Sequence, residues 1–161
     1  MSVDPQYLCF HLQQFAVPWI LREHALTVPV LRAAPPEAAG CRPAKDARSI
    51  RELAWHIAAV GIRFLEGMVH GEFEPGLAVM PEELTGTREV ADWYRRRFRD
   101  LPGDLGSLTP ERLLQTLNYR DKLIFPAIVF LQTPMVHTIH HRGQLTLYLR
   151  MLGVPMPNVY G

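Results

Sequence analysis

The sequence predicts an all-α protein, on three observations. Apolar side chains recur at three- and four-residue spacing in several separate stretches, the pattern of helices that bury one face. Helix-start signals stand at the head of these stretches: an N-cap oxygen followed by proline, or by a glutamate three residues on. Connections rich in proline and glycine divide one stretch from the next. A chain of 161 residues is long enough for a single domain over 1–161 to bury a core without disulfide staples.

Asp4-Pro5 opens the first helix, the aspartate as cap and the proline where its missing N–H costs nothing. Leu8, Leu12, Phe15 and Trp19 then recur at helical spacing. Pro18 and Pro29 each remove a ladder hydrogen bond, so a bent element ending near Arg32 is expected. His11 and His24 in this element are read as surface or groove residues. The segment 33–47, rich in Pro, Ala and Gly, is a loop. Ser49 caps the second helix and Glu52 completes a capping box. Leu53, His56, Ile57, Val60 and Phe64 form its inward stripe. Ala54, Ala58, Ala59 and Gly61 keep the surroundings small, which leaves room for an ion and a substrate or lets helices pack closely. His70 suits the dipole at the end of this helix. The connection 71–86, with Pro75 and Pro81, is a rim or lid, of a length that suits a bundle with a long crossover.

The third helix is expected from Thr87 through Val90, Trp93, Tyr94 and Phe98 to about Leu101. Its charge run, Arg95, Arg96, Arg97 and Arg99, reads as a solvated face. Thr109-Pro110-Glu111 starts a short extra helix that ends before Asn118. The last helix starts at Pro126 with a distortion at Pro134; Thr133-Pro134 is the alternative start. It ends at Gly153, after which Pro155 and Pro157 forbid continuation.

Composition narrows the function. The net charge is +1 and dispersed, so no basic face offers itself to nucleic acid. Cys9 and Cys41 lack metal-motif spacing and make no disulfide framework, which fits reduced thiols. No leader pattern and no charge-free stretch long enough for a bilayer is present, so a cytoplasmic protein without membrane contact is expected.

Ligand-type side chains recur at a useful spacing in one segment, His137-Thr-Ile-His-His-Arg-Gly-Gln-Leu-Thr-Leu-Tyr-Leu-Arg150. On a helix His137 and His141 project from one face, one turn apart, and Gln144 and Tyr148 continue that face. Such a pair can share a metal ion. His140 lies to one side and Arg142 points the opposite way, toward an interhelical or dimer salt bridge. A third donor is required, and His56 is the best available, set among apolar and small residues.

The segment from His137 to Gly161, with its His-x-x-x-His-Arg-Gly-Gln-Leu, Tyr-Leu-Arg, Leu-Gly-Val-Pro and closing Val-Tyr-Gly, resembles the C-terminal signature of the DinB-like superfamily of metal-dependent proteins. Arg48-Ser-Ile-Arg-Glu-Leu-Ala-Trp-His56 resembles that family's second-helix motif. The resemblance implies a four-helix bundle of DinB type, the family's metal triad at His56, His137 and His141, and a homodimer. The family it implies mixes thiol-dependent transferases, hydrolase-like members and many proteins of unknown activity, with a link to bacterial stress response.

Three neutral imidazoles leave a divalent ion with its full charge and open positions, a catalytic type of site. Zinc or nickel suits these donors best, with iron next. A zinc protease would carry glutamate directly after the first histidine of the pair; Thr138 stands there, so that reaction is set aside. The motif holds no evident general base. Tyr148 and Gln144 are candidates near the open positions, and Glu52, one turn before His56, is a candidate acceptor fixing an imidazole tautomer. The expected function is a metal-dependent enzyme acting on a small anionic or thiol-containing molecule, either by thiol transfer with a low-molecular-weight thiol as cosubstrate or by hydrolysis without one. The alternative is a non-catalytic, stress-associated bundle that binds a metal or ligand.

Overall fold

Asp4 caps the chain's first helix by accepting a hydrogen bond from the Gln6 N–H at 2.9 Å. The structure, a computed structural model, describes residues 4–75 and 79–160. Helix α1 (Pro5–His11) runs through a π-helical turn (Leu12–Ala16) into α2 (Val17–Ala33). The wide turn sits just ahead of Pro18, which has no N–H and whose ring would clash with the carbonyl four residues back in a regular helix. An i→i−5 bond, from the Val17 N–H to the Leu12 carbonyl, replaces the regular pattern.

That extra residue per turn corrects one expectation. Phe15 and Trp19 are 50% and 49% exposed, because the wide turn advances the inward stripe by four residues at a time, to Leu8, Leu12, Ala16 and Ile20.

Helix α3 (Ile50–His70) begins with the expected capping box: Ser49 Oγ accepts from the Glu52 N–H, and Glu52 Oε2 accepts from the Ser49 N–H at 2.8 Å. It stops at Gly71, whose φ of 90° is open to glycine without strain. Three residues of the following connection, 76–78, lie outside the described residues, so its reading as a rim or lid is not described in full. Then come α4 (Thr87–Phe98), α5 (Leu101–Gly106) and α6 (Pro110–Leu114), the last capped by Thr109 as expected. Of the arginine run on α4, Arg97 forms a two-pronged ion pair with Glu66 on α3, and Arg95 approaches Asp92 at 3.8 Å.

An antiparallel hairpin follows that was not expected: β1 (Thr116–Tyr119) paired with β2 (Leu123–Pro126). Its turn is made by Arg120 and Asp121, both left-handed at φ 57° and 55°, and Asn118 braces it with two hydrogen bonds to Asp121. A 3₁₀ segment, Ala127–Leu131, leads into α7 (Gln132–Met151). Pro134 thus falls in the first turn of α7, where it disturbs little. The helix ends as Gly153 turns left-handed. The final Gly161 of the closing motif lies outside the described residues.

The long helices form a four-helix bundle in which α3 packs on α4 and α7, and α2 packs on the same two helices from the other side. Segments 34–49 and 99–131 therefore cross the bundle between diagonal helices, whereas 71–86 joins neighbours. Gly61 of α3 meets α4 and α7 closely: a Cβ there would lie 3.4 Å from the Tyr94 hydroxyl and 3.7 Å from Thr138 Oγ1. Arg142 of α7 points away from His141 and is 2% exposed. It donates to Glu23 Oε2 at 2.7 Å, Thr27 Oγ1 at 3.0 Å and the Glu23 carbonyl at 3.2 Å, all on α2, and to the Tyr160 hydroxyl. The expected interhelical ion pair is therefore present and buried. No helix among the described residues is long and apolar enough to cross a membrane.

Candidate metal centre

Because α3 and α7 are neighbours in the bundle, the second turn of α3 brings His56 opposite the His137 and His141 face of α7. The three Nε2 atoms converge: His56 to His137 at 2.9 Å and His56 to His141 at 3.2 Å, with ring centroids 4.4 to 4.6 Å apart. Among the described residues this is the one group of histidine, cysteine and carboxylate side chains placed to hold a metal ion.

The donor chemistry fits a cation. The Gln144 Oε1 accepts from His141 Nδ1 at 2.7 Å, so the proton of that ring sits on Nδ1 and the Nε2 lone pair faces inward. Lone pairs from three rings meeting at one point repel unless a positive charge lies among them. Ligand arms of about 2.1 Å at a tetrahedral angle place nitrogens about 3.4 Å apart, so the observed spacings need only a slight opening. Protons compete poorly for these rings. Burial lowers His56 to about 4, helped by the charges of Arg48, His141 and Arg63. Burial lowers His137 to about 3, helped by the other histidines and Arg48. His141 is lowered by burial too, against the opposing pull of Gln144. At neutral pH all three are therefore uncharged, the form that binds metal.

The other candidates divide. Gln144 lies next to the centre but holds the ring of His141, and its amide nitrogen contacts His140 Nε2 at 3.2 Å. It orients a ligand-type ring instead of facing the open side. Glu52 is a correction: its carboxylate closes the capping box and pairs with Arg42 at 2.7 Å, which leaves it no hydrogen bond to an imidazole. Tyr148 is a second correction. Seven residues beyond His141 it stands about 10 Å further along the axis, and it lines a separate cavity with Cys41, Arg42, Ile50 and Leu152. Among the described residues His137 Nδ1 is buried without a hydrogen-bond partner, and of the three rings His141 alone has the outer support that oriented ligands usually receive. His24 stacks on Phe98 at a centroid distance of 3.7 Å, and burial lowers it to about 4. His11 stacks between Tyr7 and Phe15. Neither belongs to the centre.

Beside it, along α3, lies a cavity of about 480 Å³ with His56 in its wall. Arg48, Glu52, Trp55, Val60 and Arg63 also line it, as do Met80, Tyr119 and Arg120 from outside α3. Arg63 was legible in principle, since it follows His56 by two helical turns. Arg120 and Tyr119 were not, because the hairpin that carries them was not expected.

Comparison with known proteins agrees with this geometry. The model of the DinB family matches residues 10–161. A crystal structure of a DinB-like protein from Bacillus subtilis is 24% identical, with a TM-score of 0.73 over 89% of this chain and 96% of that one; this is a likeness of fold. A DinB-like protein from Bacillus cereus is 27% identical, with a TM-score of 0.71 over 87% of this chain and 92% of the other. No curated protein matches the chain.

Proposed function

The chain belongs to the DinB family, and from that membership and its three facing imidazoles we propose a metal-dependent enzyme that acts on a small molecule by thiol transfer or hydrolysis. Nε2 of His56, His137 and His141 would hold a divalent ion, zinc or nickel before iron. The observation that carries this reading is the convergence of three uncharged Nε2 atoms from two helices within 3.2 Å of His56 Nε2. Bound there, the ion would supply Lewis acidity for activating water or a thiol near neutral pH. Gln144 keeps the His141 proton on Nδ1, and the cavity along α3 admits substrate and any low-molecular-weight thiol cosubstrate.

The proposal extends to a single domain over 1–161, a cytoplasmic location and a homodimer. Val136, Ile139, Leu147 and Met151 expose an apolar stripe on α7, and Phe15 and Trp19 add to the exposed apolar surface; this supports pairing with a second copy. Protein purified without an affinity tag is expected to carry close to one equivalent of metal, and the His137→Ala/His141→Ala variant almost none with helix content retained. Undiminished metal in that variant rejects the reading.

One feature favours a second reading, a non-catalytic bundle that sequesters a metal or ligand. Among the described residues no carboxylate hydrogen-bonds to any of the three imidazoles, because Glu52 is committed to its cap. Screening the metal-loaded protein against thiol adducts, esters and amides separates the two: turnover supports the enzyme, inactivity with tight ligand retention supports sequestration.

A further inference from the structure

We infer that the cavity beside the imidazoles is a subsite for a small organic acid, its carboxylate gripped by Arg63 and Arg48 together with Arg120 from the hairpin turn. The inference rests on the proposed metal centre for the anchoring of the molecule's other end. Three guanidinium groups line this cavity against one carboxylate, Glu52, which is already bonded to Arg42 and to the Ser49 N–H. Among the described residues no carboxylate comes within ion-pair distance of Arg48, Arg63 or Arg120.

Arg63 carries the argument furthest. It is 6% exposed, its Nε has no hydrogen-bond partner among the described residues, and one long contact of 3.4 Å reaches the Tyr119 hydroxyl. The other buried arginine, Arg142, shows how this fold satisfies such a group when the need is structural: a carboxylate, a carbonyl and two hydroxyls surround it. A buried cation without a counter-charge is costly, so the cavity calls for an anion from outside. The planar fork of arginine matches a carboxylate two-pronged. Trp55, Val60 and Met80 supply an apolar wall for a carbon skeleton. Along α3 the seven residues from His56 to Arg63 span about 10 Å, so an extended acid can reach both the imidazoles and Arg63. The cavity volume lies within the usual range for small-molecule sites.

Titration calorimetry of the zinc-loaded full chain with glutarate, and with its uncharged diamide glutaramide, tests the inference. Arg48 and Arg120 are exposed, so Arg48→Gln and Arg120→Gln are expected to keep the fold, and Arg63→Gln is the third variant. Millimolar or tighter glutarate binding is expected, about tenfold or more weaker in each variant, weakened by salt, and absent for glutaramide. Metal content measured on the same samples reports on the metal reading separately. The metal-free protein, titrated in parallel, is expected to retain weaker glutarate binding through the arginines. No glutarate binding by the wild type, equal affinity in Arg48→Gln and Arg120→Gln, or equal binding of glutaramide overturns the inference, whatever the metal content.

Discussion

Replacing Arg142 by methionine is expected to be among the most damaging single changes in the chain. The guanidinium is 2% exposed and donates to four oxygens; without it Glu23, 3% exposed, keeps one partner for Oε2, the Tyr160 hydroxyl at 2.7 Å, and none for Oε1. Removing one member of a buried ion pair leaves the other charge uncompensated, at a cost of about 3–5 kcal/mol. For a chain of this size that corresponds to a fall in Tm of roughly 6–20 °C. Glu23→Leu is expected to cost a similar amount from the other side. The Arg142→Met/Glu23→Leu double variant, with neither charge, is expected to be more stable than either single variant, because the burial penalty disappears with both. Urea unfolding followed by circular dichroism measures all three. A loss below about 1 kcal/mol for Arg142→Met, or costs that simply add in the double variant, would refute the account of the network as a mutually dependent pair.

Further outcomes follow from the same structure. His24 is lowered from its ordinary 6.5 to about 4 when folded, so the unfolded chain binds more protons in that window; stability is full above about pH 6.5 and falls as pH drops toward 4. Thermal melts of the metal-free protein across this range check the slope, to which the three facing histidines add in the same direction. Saturating zinc at about a hundredfold above its Kd is expected to add about 2.7 kcal/mol to stability in the wild type and nothing in His137→Ala/His141→Ala. Gln144→Leu, which frees the His141 ring, is expected to weaken zinc binding about 10- to 100-fold in a chelator competition, with little change in the urea midpoint. Gly71→Ala forces a side chain into the left-handed region and toward Arg112 Nη1, at a cost of about 1–2 kcal/mol in the same urea assay.

What the amino-acid sequence made legible was local. Ser49 and Glu52 located the start of α3, Thr109-Pro110 located α6, and the four-residue spacing of His137 and His141 located the helix that faces His56. The misses share a cause, competition between local and distant demands. Glu52 was read twice, as a cap and as a support for His56, and one carboxylate could not serve both. The π turn before Pro18 shifted the buried stripe away from Phe15 and Trp19. The hairpin escaped because Arg120-Asp121 carries no glycine, although its left-handed turn is braced by Asn118. The arginine-lined cavity gathers residues 48, 63 and 120 from three separate parts of the chain, a proximity that only the fold creates.

Gly61 bears on the distance between the helices that carry the three imidazoles. Five residues past His56, it lets Tyr94 and Thr138 press against the bare backbone of α3, and Thr138 is the residue next to His137. The gauge between the two helices that carry the imidazoles is thereby set where side chains of α4 and α7 meet bare backbone of α3.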